Sequence, residues 1–165
     1  MQNTLKNNIS AENISKDHSY LDIARDISIF CNDELKILEG VLDDYWERRD
    51  GYMLFEERRD IVLLGFVIFG RIPITAFGWD IYWLVVNKLY QGRGIGRGLL
   101  ERVEQYIGHQ QHKAYIRVET STRMEYCQAR NLYAKMSYSQ IARVRNFYGQ
   151  GDDSIIFYKE INQEY

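Results

Sequence analysis

Apolar residues recur along this chain in two periods, and where the period changes the elements change with it. From Asp33 onward Leu35, Ile37, Leu38, Val41, Leu42, Tyr45 and Trp46 follow helical spacing, with Asn32 or Asp33 as N-cap and Gly51 as the stop. Ahead of that helix, residues 20–25 alternate weakly and read as a first, edge strand. Residues 52–55 and 61–69 read as two strands, joined by a charged hairpin turn over 56–60. A loop over 70–75 holds the single proline, Pro73, and a buried strand over 80–86 follows. Ile95, Leu99, Leu100, Val103, Tyr106 and Ile107 then form one face of an amphipathic helix that ends near Gly108.

Residues 114–120 form the next strand, reached through that helix and therefore parallel to a strand of the same sheet. Tyr126, Ala129, Leu132, Tyr133 and Met136 mark a second, shorter helix, and residues 137–145 and 154–160 close the chain as a strand pair. The order is strand, helix, three strands, helix, strand, helix, two strands: an α/β fold in one domain. Residues 1–18 lack periodicity and read as a flexible extension, which leaves 19–165 as the domain.

Composition narrows the class. At 165 residues, with 45% hydrophobic and 27% charged residues, the chain can bury one substantial core. Its net charge of −2, with both signs interspersed, gives no basic face for a nucleic acid. No apolar run approaches the length of a membrane span, and the polar start has no signal-peptide core. Cys31 and Cys127 make no disulfide framework, so a cytoplasmic location is expected. His109 and His112 lack the companions a metal site needs, and no metal is expected.

The chemistry concentrates between the strand over 80–86 and the helix after it, at Gln91, Gly92, Arg93, Gly94, Ile95 and Gly96. Alternate glycines leave backbone N–H groups uncovered where a helix presents its unpaired donors and positive dipole end, a ready site for phosphate. Arg93 and Arg97 add positive charge. No Lys-Ser/Thr pair completes a Walker-type loop. A dinucleotide fingerprint counted from Gly92 needs a third glycine where Arg97 stands, although Glu119 lies at about the distance of a ribose-binding acid.

The same residues resemble the acetyl-CoA pyrophosphate loop of the GNAT N-acetyltransferase superfamily. A second stretch, from Ala129 through Leu132 and Tyr133 to Ser137 and Tyr138, is similar to that family's second motif. Segments at 71–75, 80–83, 118–121 and 146–153 resemble a bacterial subgroup of unassigned acceptor. The chain departs from the pattern at Lys88, where a proline is common, at Ser137 in place of glycine, and at Tyr126, where many relatives place an asparagine against the pantetheine arm.

The resemblance implies a mixed sheet with a central splayed parallel strand pair and helices on both faces. It implies acetyl-CoA as cosubstrate, an amine as acceptor, direct transfer in a ternary complex, and admits a homodimer. Leu84, Val85 and Val86 would offer backbone groups to the pantetheine arm, as to an added strand. Gln91, Gly92, Arg93, Gly94, Ile95, Gly96 and Arg97 would hold the pyrophosphate, and a backbone N–H in the splay would stabilise the oxyanion.

Tyr133 is placed beside the sulfur. A phenol near pKa ~10 is a weaker acid than a thiol near ~8.5, so a hydrogen bond to developing thiolate is expected before full proton donation; the alternative is a core tyrosine. Glu119 would accept the amine proton, which requires burial to raise its pKa; the alternative is a capping or salt-bridging acid. Tyr82, Tyr148, Asp152 and Asp153 would shape the acceptor pocket. The rival readings are a non-catalytic CoA- or nucleotide-binding module and, third, a nicotinamide oxidoreductase.

Overall fold

The computed structural model describes residues 17–49 and 51–162. Among them the elements run α1 (Ser19–Asp26), α2 (Asn32–Glu47), β1 (Tyr52–Arg59), β2 (Val62–Arg71), β3 (Gly78–Val86), α3 (Ile95–Gln110), β4 (Lys113–Ser121), α4 (Cys127–Lys135), β5 (Ser139–Gly149) and β6 (Asp152–Asn162). One six-stranded sheet has the order β1-β2-β3-β4-β6-β5. Only β3 and β4 run parallel; every other neighbouring pair is antiparallel.

The edge strand expected over 20–25 is a helix. Tyr20, Leu21, Ile23 and Ala24 are buried together on one face of α1, while Asp22 and Arg25 meet at 3.4 Å in water. So short an apolar pattern satisfies either period, and packing on the sheet decides it. α2 starts one residue earlier than an Asn32 cap would place it: Cys31 is the N-cap, and its N–H donates to the Glu34 carboxylate at 2.7 Å. The helix stops at Arg48 in the left-handed region (φ 54°), before Gly51 is reached.

The charged segment 56–60 is mostly strand. β1 runs to Arg59 and the reversal falls at Asp60, with φ 55°. Glu56 accepts from the Tyr20 hydroxyl, and Arg58 donates to Glu56 at 2.8 Å and to Asp17 at 2.5 Å. Of the extension expected over residues 1–18, Asp17 is thereby tied to the sheet, and residues 1–16 lie outside the described residues.

Two cores form, one on each face. Over the first, α3 and α4 cover Val67, Phe69, Ile81, Ile116 and Val118 with Leu99, Leu100, Val103 and Ile107. Over the second, α1 and α2 cover Phe66, Ile68 and Val85 with Leu21, Leu38 and Leu42. Successive β2 residues point to opposite cores, which explains an apolar run without alternation. Each fully buried Leu, Ile or Phe contributes about 1.5–3 kcal/mol. No helix among the described residues is long and apolar enough to cross a membrane.

Candidate active site

The site begins with one extra residue. Against β2, Ile68 faces Trp83 but Phe69 faces Ile81, so Tyr82 is a bulge in β3. A bulge bends its strand and sharpens its twist. β3 pairs with β4 from Gly78↔Tyr115 to Ile81↔Val118 and then leaves it. β2 stays with β3 as far as Val86, and β6 stays with β4 as far as Ser121, so both strands remain strands while a gap opens between them.

Register shows which backbone groups face the gap. The Asn87 N–H donates to the Leu64 carbonyl at 2.9 Å, so by antiparallel alternation Val85 exchanges its bonds with Phe66. Leu84 and Val86 therefore turn their groups toward the gap, and Val85 does not; its side chain is fully buried in the second core. On β4 the Thr122 N–H donates to Asp153, which by the same alternation turns Glu119 and Ser121 toward the gap. The Gln91 amide already caps the Val86 carbonyl at 3.2 Å, and Arg130 caps that of Ser121 at 2.6 Å.

Beyond β3 the chain turns through residues 88–90 into α3. Gly92 (φ 74°) and Gly94 (φ 83°) sit in the left-handed region, with nothing within 4 Å of where a Cβ would stand. Gly94 is the N-cap of α3 and brings no side chain to cap it. The first helical bond is Gly98 N–H to Gly94 carbonyl at 2.9 Å, so the amides of Ile95, Gly96 and Arg97 lie in the unpaired first turn. Gly96 serves a different purpose: a Cβ there would meet Leu132 at 3.2 Å and Val86 at 3.4 Å, so its absence lets α3 close on α4 and β3.

Gap and glycine turn open into one cleft of ≈ 910 Å³. Leu84, Val86, Gln91, Gly92, Gly94, Ile95, Gly96 and Arg97 line it; Val85 and Arg93 do not. The Arg93 guanidinium lies over the Tyr90 ring at 5.2 Å. Arg97 reaches the cleft while paired with Glu101 at 2.7 Å.

Tyr133, on α4, also lines the cleft with only 4% of its surface exposed. Burial alone raises its phenol above the ordinary range. Glu119 is exposed, against the burial expected for it; its Oε1 accepts from the Tyr148 hydroxyl at 2.9 Å and from the Ser154 hydroxyl at 2.8 Å. Burial, and then the bond to that carboxylate, push the Tyr148 phenol up to about 12.

Tyr82 and Asp152 also border the cleft, and Asp152 accepts from the Ser121 hydroxyl. Asp153 lies outside the cleft lining. Its carboxylate accepts from the Asn146 N–H at 2.8 Å and from Arg143 at 2.5 Å, and its backbone bonds both ways with Thr122, so it belongs to the frame of the β5–β6 turn. Among the described residues no cluster of His, Cys, Asp and Glu could hold a metal.

One whole wall of the cleft has no signature in the sequence. The segment between α1 and α2 lines the cleft with Ile27, Ile29, Phe30, Cys31 and Glu34. It is pinned across the opening: Arg123 donates to the Ile29 carbonyl at 3.1 Å, the Tyr126 hydroxyl donates to Glu34 at 3.0 Å, and Phe30 packs on Trp83 at 4.9 Å. Tyr126 thus joins the strand–helix connection after β4 to α2. The two hydrogen bonds each span more than ninety positions and leave no local pattern to read.

Residues 19–138 match the model of the Acetyltransferase (GNAT) family. No curated protein matches the chain. Among solved structures, a GNAT-family protein from Desulfovibrio desulfuricans superposes with a TM-score of 0.80 at 26% identity, covering 86% of this chain and 90% of that one. The ribosomal-protein-S18-alanine N-acetyltransferase of Escherichia coli gives 0.61 at 19% identity, over 75% and 79% of the two chains. An aminoglycoside 6'-N-acetyltransferase complexed with coenzyme A gives 0.68 at 16% identity, over 89% and 91%.

Proposed function

The chain belongs to the Acetyltransferase (GNAT) family, and on that premise we propose that residues 19–165 form an N-acetyltransferase that uses acetyl-CoA and moves its acetyl group to a primary amine by direct transfer in a ternary complex. The observation that carries this reading is the place where pairing stops. β3 and β4 part after Ile81 and Val118, and the gap leads directly to the uncapped first turn of α3. A pantetheine arm fits there as an added strand on the groups of Leu84 and Val86, with the pyrophosphate on the amides of 92–97. Gln91 and Arg97 border that phosphate position, while Arg93 lies over the Tyr90 ring outside the cleft lining. The bound cosubstrate supplies an activated acetyl thioester; the residues of the chain orient it and handle the protons.

An acceptor ammonium loses one proton before attack and a second as the N–C bond forms and the C–S bond breaks. One proton ends on the departing thiolate, the other in solvent. Glu119 remains the proton acceptor in this reading only through water, since the burial that direct abstraction would require is absent. Tyr133 is a poor proton source because burial weakens it as an acid. Its buried hydroxyl suits a hydrogen bond to charge developing on sulfur, a bond to an ionised group being worth about 1.5–3 kcal/mol.

Thermal shift with acetyl-CoA, CoA and NAD tests the ligand class. Acetyl-CoA at a hundred times its dissociation constant stabilises by about 2.7 kcal/mol. Stabilisation by NAD and not by CoA overturns the reading. Acetyl-CoA binding with no thiol release over a broad amine panel leaves a non-catalytic CoA-binding module.

A further inference from the structure

We infer that Ile81 and Val118 set the length of the acyl group this chain transfers: they close the inner end of the gap, where an acetyl group fits and a longer one does not. This rests on the acetyl-transfer reading and narrows its donor. Register gives the place. Ile81 and Val118 are the last residues paired across β3 and β4 before the strands part, and both line the cleft. A pantetheine arm that leaves the glycine turn along Val86 and Leu84 runs toward the point where pairing begins. The thioester is the leading end of that arm, so its acyl group meets these two side chains first.

The bulge at Tyr82 aims the wall of the gap. Trp83 and Val85 belong to the second core, while Ile81 lies in the first and Leu84 packs against it. In a regular strand residues three apart face opposite ways; the extra residue turns Ile81 and Leu84 to the same side. With Val118 across the gap and Tyr133 in the same core, the inner end is walled by side chains without charge.

What makes this wall a stop is the packing behind it. Ile81 and Val118 are 5% and 3% exposed. Next along the paired strands, Trp79 faces Ile116; both are buried in the same core and neither lines the cleft. An interior at crystal-like density has no slack for further methylenes, and forcing them in displaces packed atoms. A methyl group gains from the apolar contact. A donor ending in a carboxylate, such as succinyl-CoA, would bury a charge against Ile81, Leu84 and Val118, which offer it no partner.

The test uses the full chain, thiol release, and one mixture of primary amines (propylamine, spermidine and an alanine-terminated tripeptide). Acetyl-, propionyl-, butyryl- and succinyl-CoA are compared as donors. In each case the N–C bond forms as the C–S bond breaks, and free CoA leaves with one amine proton. On the unaltered chain kcat/KM should fall roughly tenfold or more from acetyl to propionyl and further to butyryl, with succinyl lowest. Val118→Ala should raise the propionyl-to-acetyl ratio at least about tenfold, and Ile81→Ala should extend the gain to butyryl. Val118→Ile should steepen the preference for acetyl. A donor ratio is independent of how much protein is folded, and affinity for free CoA, which carries no acyl group, should be the same in every variant. Should an alanine variant fail to fold, the donor series on the unaltered chain and on Val118→Ile decides. Equal turnover of acetyl- and butyryl-CoA by the unaltered chain, or donor ratios unmoved in the variants, overturns the inference and leaves acetyl transfer standing. No thiol release from acetyl-CoA with any amine overturns the acetyl-transfer reading and this inference with it.

Discussion

The same two strands do opposite things a few residues apart. From Gly78 to Ile81 β3 lies against β4, with Ile116 fully buried under α3 and Ile81 and Val118 at the edge of the cleft. From Tyr82 onward β3 turns away, and its backbone faces a cleft. Composition does not separate the two halves, since Leu84 and Val86 are as apolar as Trp79 and Ile81. One bulge residue separates them. Backbone groups that a continuous sheet would satisfy are left available, and the stretches on either side must supply the stability that this opening gives up.

Substitutions in the two halves should therefore fail in different ways. The largest effect is expected from Ile116→Ala in the closed half. Ile116 is fully buried, so truncation should cost roughly 2–5 kcal/mol in urea unfolding. What remains folded should bind acetyl-CoA normally. A loss below about 1 kcal/mol would mean the closed half is not where the stability resides. Gly94→Val, at the end of the open half, comes next. A branched side chain at φ 83° is strained by about 1–3 kcal/mol and also covers the first-turn amides. Isothermal titration should show acetyl-CoA affinity down at least about tenfold, and an unchanged affinity would remove the glycine turn from the binding site.

Much of this division was legible in the sequence, because both motifs are local. Strand, glycine turn and helix follow one another without interruption from Gly78 to Gln110, and the motif that carries Tyr133 is one short stretch from Ala129 to Tyr138, most of it in α4. What stayed hidden depends on distance in sequence. Residues 20–25 fit two periods equally, and only burial against Phe66 and Ile68 selects the helix. Glu119 was found by position, but its hydroxyl partners come from residues 148 and 154, brought beside it by β6. The resemblance places Asp152 and Asp153 together at the acceptor pocket, and the structure separates them. In a strand, adjacent residues point to opposite faces, so only one of them can border the cleft.

Tyr133→Phe sharpens the comparison by moving activity and stability apart. The variant keeps the ring packed against Tyr138 and Phe157 and removes only the hydroxyl of a residue that lines the cleft. Stability should hold or rise slightly, while kcat falls roughly ten- to a hundredfold, as for one lost bond to an ionised group. Unchanged kcat would return Tyr133 to the core as a packing residue.

Asp153→Asn should give the smallest effect, and one that depends on pH. The Asn146 N–H, and then Arg143, hold the Asp153 carboxyl below the usual carboxylate range. A lowered folded pKa means that the unfolded chain takes up its proton first as pH falls, so this group adds stability above about pH 4 and loses it as pH drops through the folded value. The variant should be less stable than the parent at pH 7, with the difference shrinking steadily below about pH 4. Because Asp153 frames the turn that carries Tyr148, KM for the acceptor should rise modestly while affinity for acetyl-CoA stays fixed. A stability difference that persists undiminished in acid would assign the residue's contribution to shape, and a lost affinity for acetyl-CoA would mean that the β5–β6 turn and the glycine turn are not independent.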